Sequence, residues 1–157
     1  MANFTTTGSN VYPAGHVIQI VEGTHSTEGT TTSTTFADTG IDVSITPTDA
    51  DSKILVMAAV HGSVNGGSAH VGYYTIYRDS TNIGPAAGFA SPWHGYPNSG
   101  GSNDDMTEHL NIQKLDSPNT TNATEYSVYA KTNSGSYITY WSMNASQSVI
   151  IAMEISG

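Results

Sequence analysis

The chain has no cysteine, so it forms no disulfide and offers no thiolate to a metal. Lysine and arginine together number four. Phosphate binding needs clustered cations, so no nucleic-acid partner is expected. Leucine occurs three times, against twelve isoleucines and ten valines. That vocabulary disfavours long helices and favours strands. No apolar run approaches the ~20 residues of a membrane helix, so no membrane partner is expected. The start, Met1-Ala2-Asn3-Phe4-Thr5, has neither the basic region nor the apolar core of a secretory signal.

What remains is a polar, nearly uncharged β vocabulary. Charged residues make up 11% of the chain, against about 25% in ordinary soluble domains. Serine and threonine total 40 of 157 residues, and the net charge of −9 is thinly spread. A chain of this length is one domain by default. Leu, Ile, Val and Phe total only 28, yet they fall in patterned runs rather than scattered. This predicts a folded protein with a modest core that a partner completes.

One of the most apolar runs closes the chain, Val149 to Ile155. A β-branched run of that length reads as a buried strand. Chain ends fray unless tied down, so this segment is predicted to be an inner strand paired on both sides. Other strand candidates are 16–22, 41–45, 53–61, 70–79, 83–89, 107–115, 123–131 and 137–141. Segment 53–61 is apolar on both faces and is placed in the middle of the structure. Turn signals recur roughly every 8–12 residues, which predicts an antiparallel sandwich or barrel without a helix longer than one turn. Residues 1–15, closed by Pro13-Ala14-Gly15, are read as an N-terminal arm, and 16–157 as the jelly-roll domain.

Few residues suggest chemistry. None of the six histidines has the helical spacing of a zinc protease. His61 and His70 flank a Gly-rich loop and are the pair placed to meet across a hairpin, without an obvious third ligand. Asp49 with Asp51, and Asp104, Asp105 and Glu108, are acidic clusters without the glycine and terminal glutamate of an EF-hand loop. Glu108 and Asp116 are the carboxylates that a glycosidase reading would need. The sequence contains neither a nucleophile elbow nor a phosphate loop. No catalytic residue, cofactor or metal is therefore expected. Four Asn-x-Ser/Thr sites match chance for this composition. The long Gly/Pro/Ser-rich loop carries Trp93, His94 and Tyr96. Together with Phe4 and Tyr12 of the arm, these are the candidate partner contacts, since tyrosine and tryptophan are enriched at interfaces.

Several stretches in order resemble a known family. They are 13–21 (PAGHVIQIV), 33–38 (STTFAD), 43–47 (VSITP), 52–56 (SKILV), Arg78-Asp79, 115–118 (LDSP) with 123–126 (ATEY), and the closing 153–157 (MEISG). Their order is similar to that of small jelly-roll modules of tailed phages, found at fibre ends or as separate virion proteins. The resemblance covers nearly everything after residue 13. It implies a trimeric, TNF-like jelly roll on the capsid exterior, made in the host cytoplasm. The short arm departs from fibre proteins, which carry a shaft before the module. That favours a protein that decorates and cements the capsid by binding the major capsid protein. The alternative is the tip of a short tail or head fibre that binds a host-surface glycan.

Overall fold

The computed structural model describes residues 13–65, 70–90 and 106–157. Among them the chain forms eleven strands and one 3-10 turn. The strands are β1 (Val17–His25), β2 (Gly29–Thr31), β3 (Ala37–Ile45), β4 (Lys53–Asn65), β5 (Gly72–Arg78), β6 (Thr81–Asn82), β7 (Phe89–Ala90), β8 (Met106–Asp116), β9 (Thr124–Thr132), β10 (Ile138–Trp141) and β11 (Ser148–Ile155). All pairings are antiparallel.

Two sheets result. In the first, β1 pairs β11, β11 pairs β4, and β4 pairs β8; the far half of β4 also carries β10 and then β2. In the second the order is β3-β9-β5, with β6 and β7 on the outer edge of β5. Take the principal strands in chain order, with β6 and β7 counted as one and β2 and β10 as additions. The first sheet then holds the first, eighth, third and sixth, and the second holds the second, seventh, fourth and fifth. This interleaving of two Greek keys is the jelly roll. The closing run is therefore an inner strand, flanked by β1 and β4, as its apolar character predicts. β4 is the central strand, paired along both edges.

Alternation decides what fills the space between the sheets. In β3, Thr39, Ile41, Val43 and Ile45 are buried while Asp38, Gly40, Asp42 and Ser44 are exposed. Ile54, Val56, Ala58 and Val60 of β4 meet Ile150 and Ala152 of β11, and across the gap Ile76, Tyr126 and Val128. Gly23 on β1 lies directly against the backbone of β3 in the other sheet. A Cβ there would stand 1.9 Å from the Asp42 carbonyl oxygen and 3.1 Å from Ile150. Backbone cannot yield as a side-chain tip can, so Gly23→Ala is expected to cost about 2 kcal/mol as overpacking. Urea unfolding with an unchanged m-value checks this; an unshifted midpoint would show that β1 moves freely away from β3.

Two polar ties sit within the sandwich. Glu154, fully buried on β11, accepts from Gln19 Nε2 (2.6 Å) and from both the amide and the hydroxyl of Thr48 (2.8 Å each). Burial by itself raises the Glu154 pKa, but the hydrogen bonds of Gln19 and Thr48, with the Ser52 hydroxyl beside them, outweigh it and hold the carboxyl below its usual value. Asp116, at the end of β8, receives Arg78 of β5 at 3.0 Å and the Tyr126 hydroxyl of β9 at 2.8 Å. This cluster bolts one sheet to the other. Burial first, then the Asp116 hydrogen bond and charge, push the Tyr126 phenol well above its ordinary range.

Two expected boundaries shift. The return strand expected at 83–89 shrinks to the two-residue pairings β6 and β7. The amides of Ile83 and Gly84 both turn to the Ile76 carbonyl, Pro85 has no N–H for a ladder, and Gly88 has φ +88°. Conversely, β4 runs past His61 through the Gly62-Ser63 that reads as loop. Gly62 belongs there because a Cβ would stand 2.5 Å from the Tyr74 hydroxyl, which donates to the Tyr140 carbonyl.

Candidate functional site

Among the described residues, the chemistry-bearing side chains do not converge. Along β8, Glu108 and Asp116 are eight positions apart, roughly 27 Å of extended chain. A glycosidase pair needs about 5–10 Å. Asp116 is in any case committed to Arg78 and Tyr126. His61 does not meet His70. Strand register sets it directly opposite His109, ring centroids 4.7 Å apart, while His70 packs against Tyr137. The hairpin reading fails because β4 continues beyond His61 and pairs with β8. Asp49 uses its carboxylate on the Asp51 amide within an exposed turn. Among the described residues no group of three or more His, Asp or Glu gathers.

A serine–histidine contact does exist. Ser142 Oγ lies 3.1 Å from His25 Nδ1, and Ser142 sits in the left-handed region at φ 50°. That backbone strain is what a nucleophile position can carry. Yet Ser142 is fully buried, and its hydroxyl is engaged with the His25 carbonyl and with Ser148. It knots the β10–β11 connection to β1 and presents nothing to a substrate.

The surfaces that stand out are the two outer sheet faces. On the first sheet, register aligns Ile20, Met153, Leu55 and Leu115 in one row across β1, β11, β4 and β8. Ile20 is 58% exposed and Leu115 50%, with Val17 at 43% on the rim. Beside the row is an open depression of about 330 Å³ over Ala59, walled by Met57, Gln113, Val149 and Ile151. Among the described residues the charges on this face are Glu22, opposite Ile151, and Lys53, opposite Ile155.

The second sheet carries aromatics outward. Tyr77 stacks on Tyr129 at 3.8 Å between centroids and 20° between planes, and Phe36 meets Tyr77 edge-on at 6.4 Å. Lys131 Nζ lies 4.5 Å from the centre of the Phe36 ring and 5.3 Å from that of Tyr73. Asp42 and Glu125 stand exposed on neighbouring strands. Burial first, then the charge of Asp38 and the neighbouring Tyr77 and Glu125, raise the Tyr129 phenol.

The chain resembles solved structures only loosely, and no family model and no curated protein matches it. The structure of infectious bursal disease virus Gx strain superposes with TM-score 0.37 at 14% identity, covering all of this chain and 37% of that one. The Gt strain gives 0.33 at 13%, covering all of this chain and 42% of that one. A mutant VP2 protein of the same virus in derived T=1 particles gives 0.32 at 11%, covering 100% and 41%. This chain thus spans about two fifths of the length of those it matches. Such superpositions are too loose to transfer a function, and the jelly roll stands on the strand order itself.

The contact residues expected from sequence, Phe4, Tyr12, Trp93, His94 and Tyr96, lie outside the described residues, as do Asp104 and Asp105. The tyrosines of 73–77 and 126–129 divide as alternation requires. Tyr74 and Tyr126 point into the core, and Tyr73, Tyr77 and Tyr129 point out. Sequence reading missed Phe36 and Lys131 as members of the outer cluster, because they are far apart in the chain and only the register that pairs Ala37 with Ala130 brings them together. It also missed the row from Ile20 to Leu115. The signal for that row was present: β4 and β11 are apolar at odd and even positions alike, so an apolar outer face was implied.

Proposed function

We infer that this chain is a non-enzymatic structural protein of a virion, a homotrimer that decorates the capsid exterior and cements it. The observation that carries this reading is that both outer faces of one small jelly roll present large apolar side chains. A monomer rarely leaves contiguous apolar patches beyond a few hundred Å² open to water. A decorating protein needs two unlike contacts, one to its own copies and one to the lattice beneath. The low charge, the Ser/Thr-rich exposed positions and the resemblance to phage jelly-roll modules support the same reading. A protein that binds only the assembled lattice stabilises it by mass action, and three linked subunits multiply the effect.

The aromatic cluster on the second sheet favours a second reading, the glycan-binding tip of a short fibre, since tyrosine faces stack on sugars as well as on protein. One experiment separates the two. Particles assembled without this protein are expected to release their contents at lower temperature while adsorbing normally to host cells. Unchanged thermal release with lost adsorption would establish the fibre reading. Polysaccharide cleavage by the purified protein would overturn both.

A further inference from the structure

We propose that His61 and His109 form a site for a borderline divalent transition metal, of the zinc, nickel or copper class, on the outer face of the first sheet. The site is independent of the role in a particle inferred above.

The geometry comes from register. His61 on β4 lies directly opposite His109 on β8, and directly opposed side chains start from Cβ atoms about 4.5–5.5 Å apart. The ring centroids are 4.7 Å apart. A ring nitrogen bound to zinc at about 2.0–2.1 Å puts the ring centre about 3.2 Å from the metal, and an N–metal–N angle of about 90–110° then sets two ring centres roughly 4.5–5.2 Å apart. The pair falls inside that span as the strands stand. Its 52° tilt is neither the offset stack nor the edge-on contact that ring packing favours.

Two further observations point to a ligand. His61 is half-buried, and its Nδ1 is buried and makes no hydrogen bond. Ser63, 3% exposed, lies two residues along the same strand and so on the same face. Its hydroxyl is likewise buried without a partner. Buried orphan polar atoms are rare in native proteins, and a bound ion is one explanation of them. A metal takes up a lone pair of the imidazole, and water on that metal gives Ser63 a hydrogen-bond partner. His109 is exposed, so an ion reaches the pair from solvent. On one side of the pair Ala59 faces Asn111, and both line the open depression, which leaves room for the ion's waters. Neither of these two nor Ser63 carries a charge, and the net charge of −9 favours a cation. Two imidazoles without a thiolate or carboxylate select zinc, nickel and copper over calcium and magnesium. Catalytic zinc sites use three protein ligands. With two, the open positions belong to water or to a side chain from outside.

The test uses the full-length chain without a histidine tag, stripped of metal by a chelator. Calorimetric titration with zinc chloride is expected to show one saturable site per chain. His61→Ala and, at the exposed position, His109→Gln are each expected to weaken binding at least about 100-fold, beyond the 10–100-fold typical when an outer partner of a ligand is lost. His16→Ala should leave binding unchanged. Zinc at about ten times its dissociation constant should multiply the folding equilibrium constant about elevenfold, an effect that calcium and magnesium do not reproduce. Should His61→Ala fail to fold, nickel added to the wild-type chain decides the matter. Paramagnetic broadening is then expected on the ring signals of His61 and His109 ahead of the rest of the six histidines. Absence of saturable zinc binding would overturn the proposal. So would binding indifferent to His109→Gln, broadening centred on any other histidine, or equal stabilisation by calcium.

Discussion

Replacing Asp116 with alanine is expected to remove about 3–4 kcal/mol of stability, the cost of breaking a mostly buried ion pair by deleting one partner. Two groups lose their acceptor together: the Arg78 guanidinium at 3.0 Å and the hydroxyl of Tyr126, a residue with no exposed surface. Arg78 keeps 28% of its side-chain surface exposed, so water recovers part of its solvation and the estimate sits low in the range. For a chain of this length about 1 kcal/mol moves the melting temperature by roughly 2–4 °C, which predicts a fall of roughly 6–16 °C at fixed protein concentration. Tyr126→Phe removes one hydrogen bond and leaves the ion pair, so it should cost about 1 kcal/mol. If the two variants cost the same, the ion pair contributes nothing and Asp116 acts only as a hydrogen-bond acceptor. The position matters because the cluster joins β8 of one sheet to β5 and β9 of the other.

Glu154→Gln is expected to cost about 3 kcal/mol near neutral pH and to flatten the acid limb of the stability curve. The native carboxylate is held below its usual pKa against the opposing effect of burial. The unfolded state therefore binds the proton first as pH falls. The stabilisation is complete above the unfolded value of 4.5 and is lost as pH drops from there through the lower native value. Glutamine sets an N–H₂ among donors, the Thr48 amide and hydroxyl and the Gln19 amide, and charge-assisted bonds of this kind are the stronger class. Urea midpoints of the two proteins should differ widely at pH 7 and converge toward pH 3. A constant gap at both pH values would mean that the glutamate serves by shape and not by charge.

Glu154 also marks the limit of reading strands from composition. The closing segment was legible as a buried strand, since β-branched residues in a short apolar run have few other uses. Its single acid reads as an outward-facing residue, the usual place for glutamate. It points inward instead, because Met153 and Ile155 occupy the outer side and alternation leaves Glu154 no choice. The donors that make this tolerable come from 135 and 106 residues away, a distance over which one sequence carries no pairing information.

Local chemistry alone decided that this chain is all-β, that its turns fall where Pro, Gly, Asn and Asp cluster, and that 53–61 and 148–155 lie inside. Strand propensity, the period-two pattern and turn residues act over a few positions, so they can be read in order along the chain. The tertiary structure decided everything that depends on register. It set His61 against His109 and not His70, and stacked Tyr77 on Tyr129. It also aligned Ile20, Met153, Leu55 and Leu115 across four strands that are far apart in the chain. A register is fixed by the packing of both faces together, and a slip of one residue would send each of these side chains to the opposite side.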